Sequence, residues 1–188
     1  MVILGIDPGS HTTGYAFLET APQWIRVLEY GCIRASSTKS PEMRLLDIIT
    51  DLEALINQYK PTALSMEGIF FAKNIKSALL LGHVRGAILA ICLKRGMTYH
   101  EYSPKSVKLA VTGSGSSSKE RVCQMVQVHL QLKEIKGPLD ASDALAIAWT
   151  HAHPVTTVSK PACLVKKKRK NQAQEWRSLL KKCGGLSE

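Results

Sequence analysis

Two apolar runs in this chain each end on an acid. Val2-Ile3-Leu4-Gly5-Ile6 stops at Asp7, and Ala63-Leu64-Ser65-Met66 stops at Glu67. Runs of this length and composition read as buried strands. A carboxylate at the end of a buried strand is costly to desolvate unless something pairs with it. No Lys or Arg adjoins either acid in sequence. Two more acids, Asp140 and Asp143, stand three apart at the start of a helical stretch, close enough to share one helix face. The expectation is one cleft that gathers Asp7, Glu67, Asp140 and Asp143 around divalent cations. Carboxylate oxygens are the donors Mg²⁺ prefers. Two such ions about 4 Å apart are a device for in-line displacement at phosphorus.

The pattern between these points predicts an α/β fold. Val2–Asp7, Gly14–Leu18 and Trp24–Ile33 read as an opening meander of strands. Leu45, Ile48, Ile49, Leu52, Leu55 and Ile56 have helical spacing within residues 41–59. Strands over Thr62–Met66 and Met97–Tyr102 then alternate with helices over Lys76–Arg95, Pro104–Val111, Lys119–Leu130 and Asp140–Ala152. Three strands followed by strand–helix alternation argue a mixed sheet with helices on both faces. Ligand sites of open α/β sheets collect at the carboxyl ends of their strands, where Asp7 and Glu67 would lie. Asp140 at an N-cap with an acid three residues later is also ordinary helix-start chemistry. The apolar face continued by Ala144, Ile147 and Ala148 aims Asp143 toward the core.

Charge and cysteine content narrow the class. The net charge is +10, and residues 160–188 hold nine basic and two acidic residues. Such a chain is drawn to polyanions, although the run Lys166-Lys167-Lys168-Arg169-Lys170 reads equally well as a solvated extension. The expected organisation is a nuclease-like domain over 1–154 and a flexible basic tail over 155–188, with one helix near Trp176–Lys182. The longest strictly apolar stretch, Ala87 to Leu93, is too short to span a bilayer. Asp7 interrupts any leader-like segment, so no signal peptide is expected. Five cysteines without a C-x-x-C pair fit a reducing, cytoplasmic setting and give no zinc site.

Near the expected cleft, Phe70-Phe71 offers an aromatic to stack on an unpaired base. Lys73, Lys76, Lys105, Lys108, Lys119 and Arg121 offer cations to phosphates. Gly82 and Gly86, four apart on one helix, suit either sheet packing or a close helix–helix contact. The Asp-Pro-Gly opening also occurs in sugar-kinase and actin-like ATPases, but that architecture needs two such domains, and 188 residues are too few. A non-catalytic nucleic-acid-binding module would have no use for the full acid set.

In order along the chain, Leu4-Gly5-Ile6-Asp7-Pro8-Gly9-Ser10, Thr13-Gly14-Tyr15, Gly31-Cys32-Ile33, Glu67, Phe70, Ala72-Lys73-Asn74, Ser77-Ala78-Leu79, Leu81-Gly82, Arg85-Gly86, Val107-Lys108, Gly113 through Lys119, and Asp140-Ala141-Ser142-Asp143-Ala144-Leu145-Ala146 resemble the RuvC family of crossover junction endodeoxyribonucleases. The likeness covers about residues 1–154. It implies a ribonuclease H-like fold with a five-stranded mixed sheet flanked by helices. It implies that Asp7, Glu67, Asp140 and Asp143 are ligands of two Mg²⁺ per site, with Mn²⁺ able to substitute. It implies that Phe70 meets DNA at the branch point and that Lys108 and Lys119 contact the backbone, Lys119 beside the scissile phosphate. The reaction implied is paired symmetric nicking of a four-way DNA junction in recombination and repair. The implied partners are a second copy through the long second helix and a branch-migration helicase complex of the RuvA and RuvB type. Gly68, Ser117 and Arg121 depart from the family pattern, and none removes a ligand.

Overall fold

The computed structural model describes residues 1–68 and 75–153. Phe70 and Lys73, the whole 155–188 segment and the helix expected near Trp176–Lys182 lie outside the described residues.

Five strands form one sheet: β1 Val2–Asp7, β2 Thr12–Ala21, β3 Trp24–Arg34, β4 Ala63–Glu67 and β5 Thr98–Tyr102, in the order β3-β2-β1-β4-β5. β1, β2 and β3 run antiparallel in succession, whereas β4 pairs parallel with β1 and β5 parallel with β4. The expected meander followed by parallel strands is therefore present. β2 is longer than the expected Gly14–Leu18 because it pairs with β3 along its whole length, through a bulge at Phe17/Leu18. That edge hairpin carries polar Glu19 and Thr20, which hydrophobic patterning leaves out.

Side-chain alternation along β1 sorts the core into two layers. Leu4 and Ile6 point toward helices α1 (Pro41–Tyr59) and α2 (Ile75–Lys94), joining Phe17, Ile48, Leu52, Leu64, Met66, Val84 and Ile88. Ile3 points to the other face, where α3 (Pro104–Thr112), α4 (Lys119–His129) and α5 (Leu139–Ala152) pack with Ala144, Leu145, Ala148 and Trp149. Asp7 shares the parity of Ile3, so it faces the α5 layer. Ser40, Ser103 and Ser118 cap α1, α3 and α4, each accepting from the backbone N–H of the third residue of its helix.

α2 is long and apolar enough to cross a bilayer by length and composition. Its Val84, Ile88 and Cys92 instead pack on the sheet.

Candidate active site

The site follows from two register facts. Ile6 pairs with Met66 in the parallel β1–β4 ladder, so the next residues, Asp7 and Glu67, emerge side by side at one sheet edge. Both share a parity opposite to Ile6 and Met66, so both face the α5 layer. Asp7 also pairs across β1–β2 with Gly14. A Cβ at Gly14 would lie 2.0 Å from the carbonyl oxygen of Asp140, and one at Gly5 would lie 2.4 Å from that of Ala144. Glycine at these two positions lets α5 rest its backbone on the sheet. That contact sets the first turns of α5, with Asp140 and Asp143, over Asp7.

Asp140 is not the N-cap that its sequence position suggested. Pro138 holds that place without a side-chain hydrogen bond, and Asp140 lies inside the first turn. The helix begins earlier because Leu139 already has helical geometry. The acid is consequently not spent on capping.

The acids sense each other. Burial pushes the Asp7 carboxyl up to about 7, helped by the charges of Asp143, Glu67 and Asp140. Glu67 is raised by burial first and by Asp143 second. Burial also raises Asp143, against the pull of Lys119. Lys119 Nζ donates to Asp143 Oδ2 at 3.5 Å, and Asp143 holds the Lys119 ammonium above its ordinary value. Lys108 is near enough to lower Glu67. Among the described residues Lys119 alone forms an ion pair with any of the four carboxylates.

The donor set suits a hard divalent cation: it is all oxygen, and burial with three neighbouring acids disfavours the charged form of Asp7, a cost that a bound cation would offset. Among the described residues, no three His, Cys, Asp or Glu side chains stand close enough together to hold a metal ion as they are placed here.

Two positioning groups are less visible in sequence. Thr13, fully buried, ties the turn after Asp7: its hydroxyl donates to the Gly9 carbonyl at 3.0 Å. Arg85, 8% exposed, donates through Nη1 to the carbonyl oxygen of Glu67. Its Nη2 reaches Glu101 Oε1 at 3.3 Å, and the Tyr99 hydroxyl donates to Glu101 Oε2 at 2.8 Å. Gly68 N donates to the Tyr102 carbonyl at 2.8 Å, so the chain just past Glu67 is held from both sides. Asp7, Glu67, Arg85 and Pro104 line one cleft of about 210 Å³. A lone arginine inside the apolar stretch of residues 78–93 was the available signal for this brace.

The family model for crossover junction endodeoxyribonuclease RuvC matches residues 3–151. A protein of that name from Heliobacterium modesticaldum is 46% identical over 156 residues, covering 83% of this chain and 96% of its own. Another from Pelodictyon phaeoclathratiforme is 44% identical over 148 residues, 79% of this chain and 78% of its own. The structure of Thermus thermophilus RuvC in complex with Holliday junction substrate superposes with a TM-score of 0.76 at 32% identity, covering 81% of this chain and 93% of that one. The yeast mitochondrial Holliday junction resolvase Ydc2 shares the fold, with a TM-score of 0.57 at 16% identity over 80% of this chain and 78% of that one.

Proposed function

The chain belongs to the RuvC family of crossover junction endodeoxyribonucleases, and on that premise we propose a residue-level account of how it cuts. It is a metal-dependent Holliday junction resolvase, an endonuclease of DNA recombination and repair that binds four-way junctions. Asp7, Glu67, Asp140 and Asp143 hold two Mg²⁺ ions, for which Mn²⁺ substitutes. When bound, such ions activate water and neutralise charge on the departing 3′-oxygen. The observation that carries this reading is the register that brings Asp7 and Glu67 out side by side beneath the start of α5, where burial and the other three acids push the Asp7 carboxyl up to about 7.

The remaining work belongs to the chain itself. Arg85 fixes the end of β4 and thereby Glu67. Lys119, two-thirds exposed while touching Asp143, has free donors to turn toward an incoming phosphodiester. Lys108 contributes positive potential on the Glu67 side. Phe70 stacks at the branch point and Lys73 follows the backbone. The nick leaves a 5′-phosphate and a 3′-hydroxyl. Manganese anomalous scattering from soaked crystals tests the ligand set: peaks among the four acids are expected, and peaks only elsewhere would remove the assignment.

Paired nicking of a nearly two-fold substrate calls for a two-fold enzyme. The exposed face of α2 supports a homodimer. Leu79 is 59% and Leu93 39% exposed, and between them Gly82 and Gly86 have no neighbour among the described residues within 4 Å of where a Cβ would stand. Small residues flanked by leucines let a second helix approach closely. Gly86→Glu should shift the protein to monomer in sedimentation velocity at micromolar concentration and abolish paired nicking. An unchanged dimer would place the interface elsewhere.

The protein is further proposed to act in the cytoplasm with a branch-migration helicase complex of the RuvA and RuvB type. Its 155–188 segment serves as a basic tail. Truncation after Pro154 should leave junction cutting intact and weaken duplex binding severalfold at low salt, read by fluorescence anisotropy. Loss of cutting would make the tail part of the enzyme.

A further inference from the structure

A second cleft opens at the same sheet edge as the acids. β3 runs parallel to β1, so its carboxyl end, and the α1 N-terminus that follows within seven residues, lie on the edge where Asp7 emerges. Ala35 N donates to the His11 carbonyl at 2.9 Å, tying the end of β3 to the loop after Asp7. The cleft, of about 200 Å³, is lined by Ser10, Glu42, Arg44 and His83 over Leu80 and Val84.

Arg44 is the unusual member. It is only 8% exposed, and its Nε is buried without any hydrogen-bond partner among the described residues. Its Nη1 stands against the His11 imidazole, 3.0 Å from Nδ1 and 2.9 Å from Nε2. A ring in its neutral form can accept through one of these nitrogens and supplies no negative charge. Among the described residues no carboxylate forms an ion pair with Arg44. The 69–74 segment contains no Asp or Glu that could supply one. Glu42, two residues away, is fully exposed, and its carboxylate is lowered chiefly by its own backbone N–H and the Ser40 hydroxyl, with Arg44 a lesser influence. A buried guanidinium without a counter-ion is costly, and its planar fork matches a phosphate. The α1 N-terminus adds backbone dipoles of the sign an anion wants.

Resting on the nuclease reading above, we infer that this cleft is a second phosphate seat. It takes a backbone phosphodiester flanking the scissile one, with Arg44 as its cation and Ser10 and His83 at its rim. The seat sets the register of the strand across the acids, because Ser10 belongs to the same turn as Asp7. Phosphate contacts of this kind position a duplex without reading its bases.

The test uses the full-length protein and synthetic junctions carrying one neutral methylphosphonate at each position around the cut. Wild type should lose about tenfold in affinity at one flanking position. Arg44→Gln should lose a similar factor on the unmodified junction, show no further loss at that position, and have a log–log salt slope smaller by about one. His11→Glu covers the case of an unfolded Arg44 variant. It places a carboxylate on the exposed loop against Arg44, so it should raise thermal stability while reproducing the affinity loss. A folded His11→Glu or Arg44→Gln protein with the wild-type methylphosphonate profile and salt slope would overturn the seat. A wild-type protein that ignored four-way junctions altogether would count instead against the nuclease reading.

Discussion

Asp7→Asn will bind a four-way junction within a fewfold of wild type and cut it at least about a thousandfold more slowly, a loss of roughly 4 kcal/mol of transition-state stabilisation. The amide keeps the shape of the side chain but gives up a charged oxygen where charge is needed for metal binding. The same substitution should stabilise the metal-free protein at alkaline pH. The folded-state carboxyl titrates at about 7 against an ordinary value of 3.8. Folding therefore favours the protonated form. The penalty is absent below the ordinary value, grows as pH rises between the two, and is complete above about 7. At pH 8 it amounts to something on the order of 4 kcal/mol. Asn, neutral at all pH values, escapes it. Calorimetry at pH 8 in EDTA should show Asp7→Asn melting about 10 °C above wild type, with the gap closing toward pH 5. A variant that cuts normally, or that melts below wild type at pH 8, would contradict the placement of Asp7.

Gly14→Ala should do nearly as much damage without touching an ionisable group. Its new methyl would meet the backbone carbonyl of Asp140 at 2.0 Å and its carbonyl carbon at 2.6 Å. Neither atom is the end of a flexible side chain, so the start of α5 has to lift from β2. Overpacking of this kind costs roughly 1–3 kcal/mol. A shift of even 1 Å in the acids carried by α5 misplaces the reacting groups. The expected result is a melting point several degrees lower and cleavage reduced at least about a hundredfold at temperatures where the variant is folded. Circular dichroism and a single-turnover assay read the two effects. Wild-type cleavage by a folded variant would show that α5 does not depend on this contact to aim Asp140 and Asp143.

Much of the architecture was legible because hydrophobic period is local. Val2-Ile3-Leu4-Gly5-Ile6 and Ala63-Leu64-Ser65-Met66 announced their strands, and each ended on its acid at the same sheet edge. Local pattern could not say that Asp140 would sit inside α5, one turn short of Asp143, with Pro138 at the cap. It also missed why Gly5 and Gly14 interrupt two strands. Glycine inside a strand is itself a signal of close backbone approach, but the partner, α5, lies more than a hundred residues away. Arg85 and Arg44 share this difficulty. Local pattern assigns neither a role, and only the packed structure shows the first spent on the Glu67 carbonyl and the second buried with no carboxylate paired to it among the described residues. Lys119 was expected beside a phosphate, and the structure adds its contact with Asp143. Phe70 and Lys73 lie outside the described residues.

The most direct test of the central claim is a denaturing-gel assay on a synthetic four-way junction and a linear duplex of the same sequence, with Mg²⁺ and with EDTA. Paired nicks at symmetric positions, in the junction alone and only with the metal, are the predicted result. Cutting that persists in EDTA, or equal cutting of the linear duplex, would contradict a junction nuclease built on these four carboxylates.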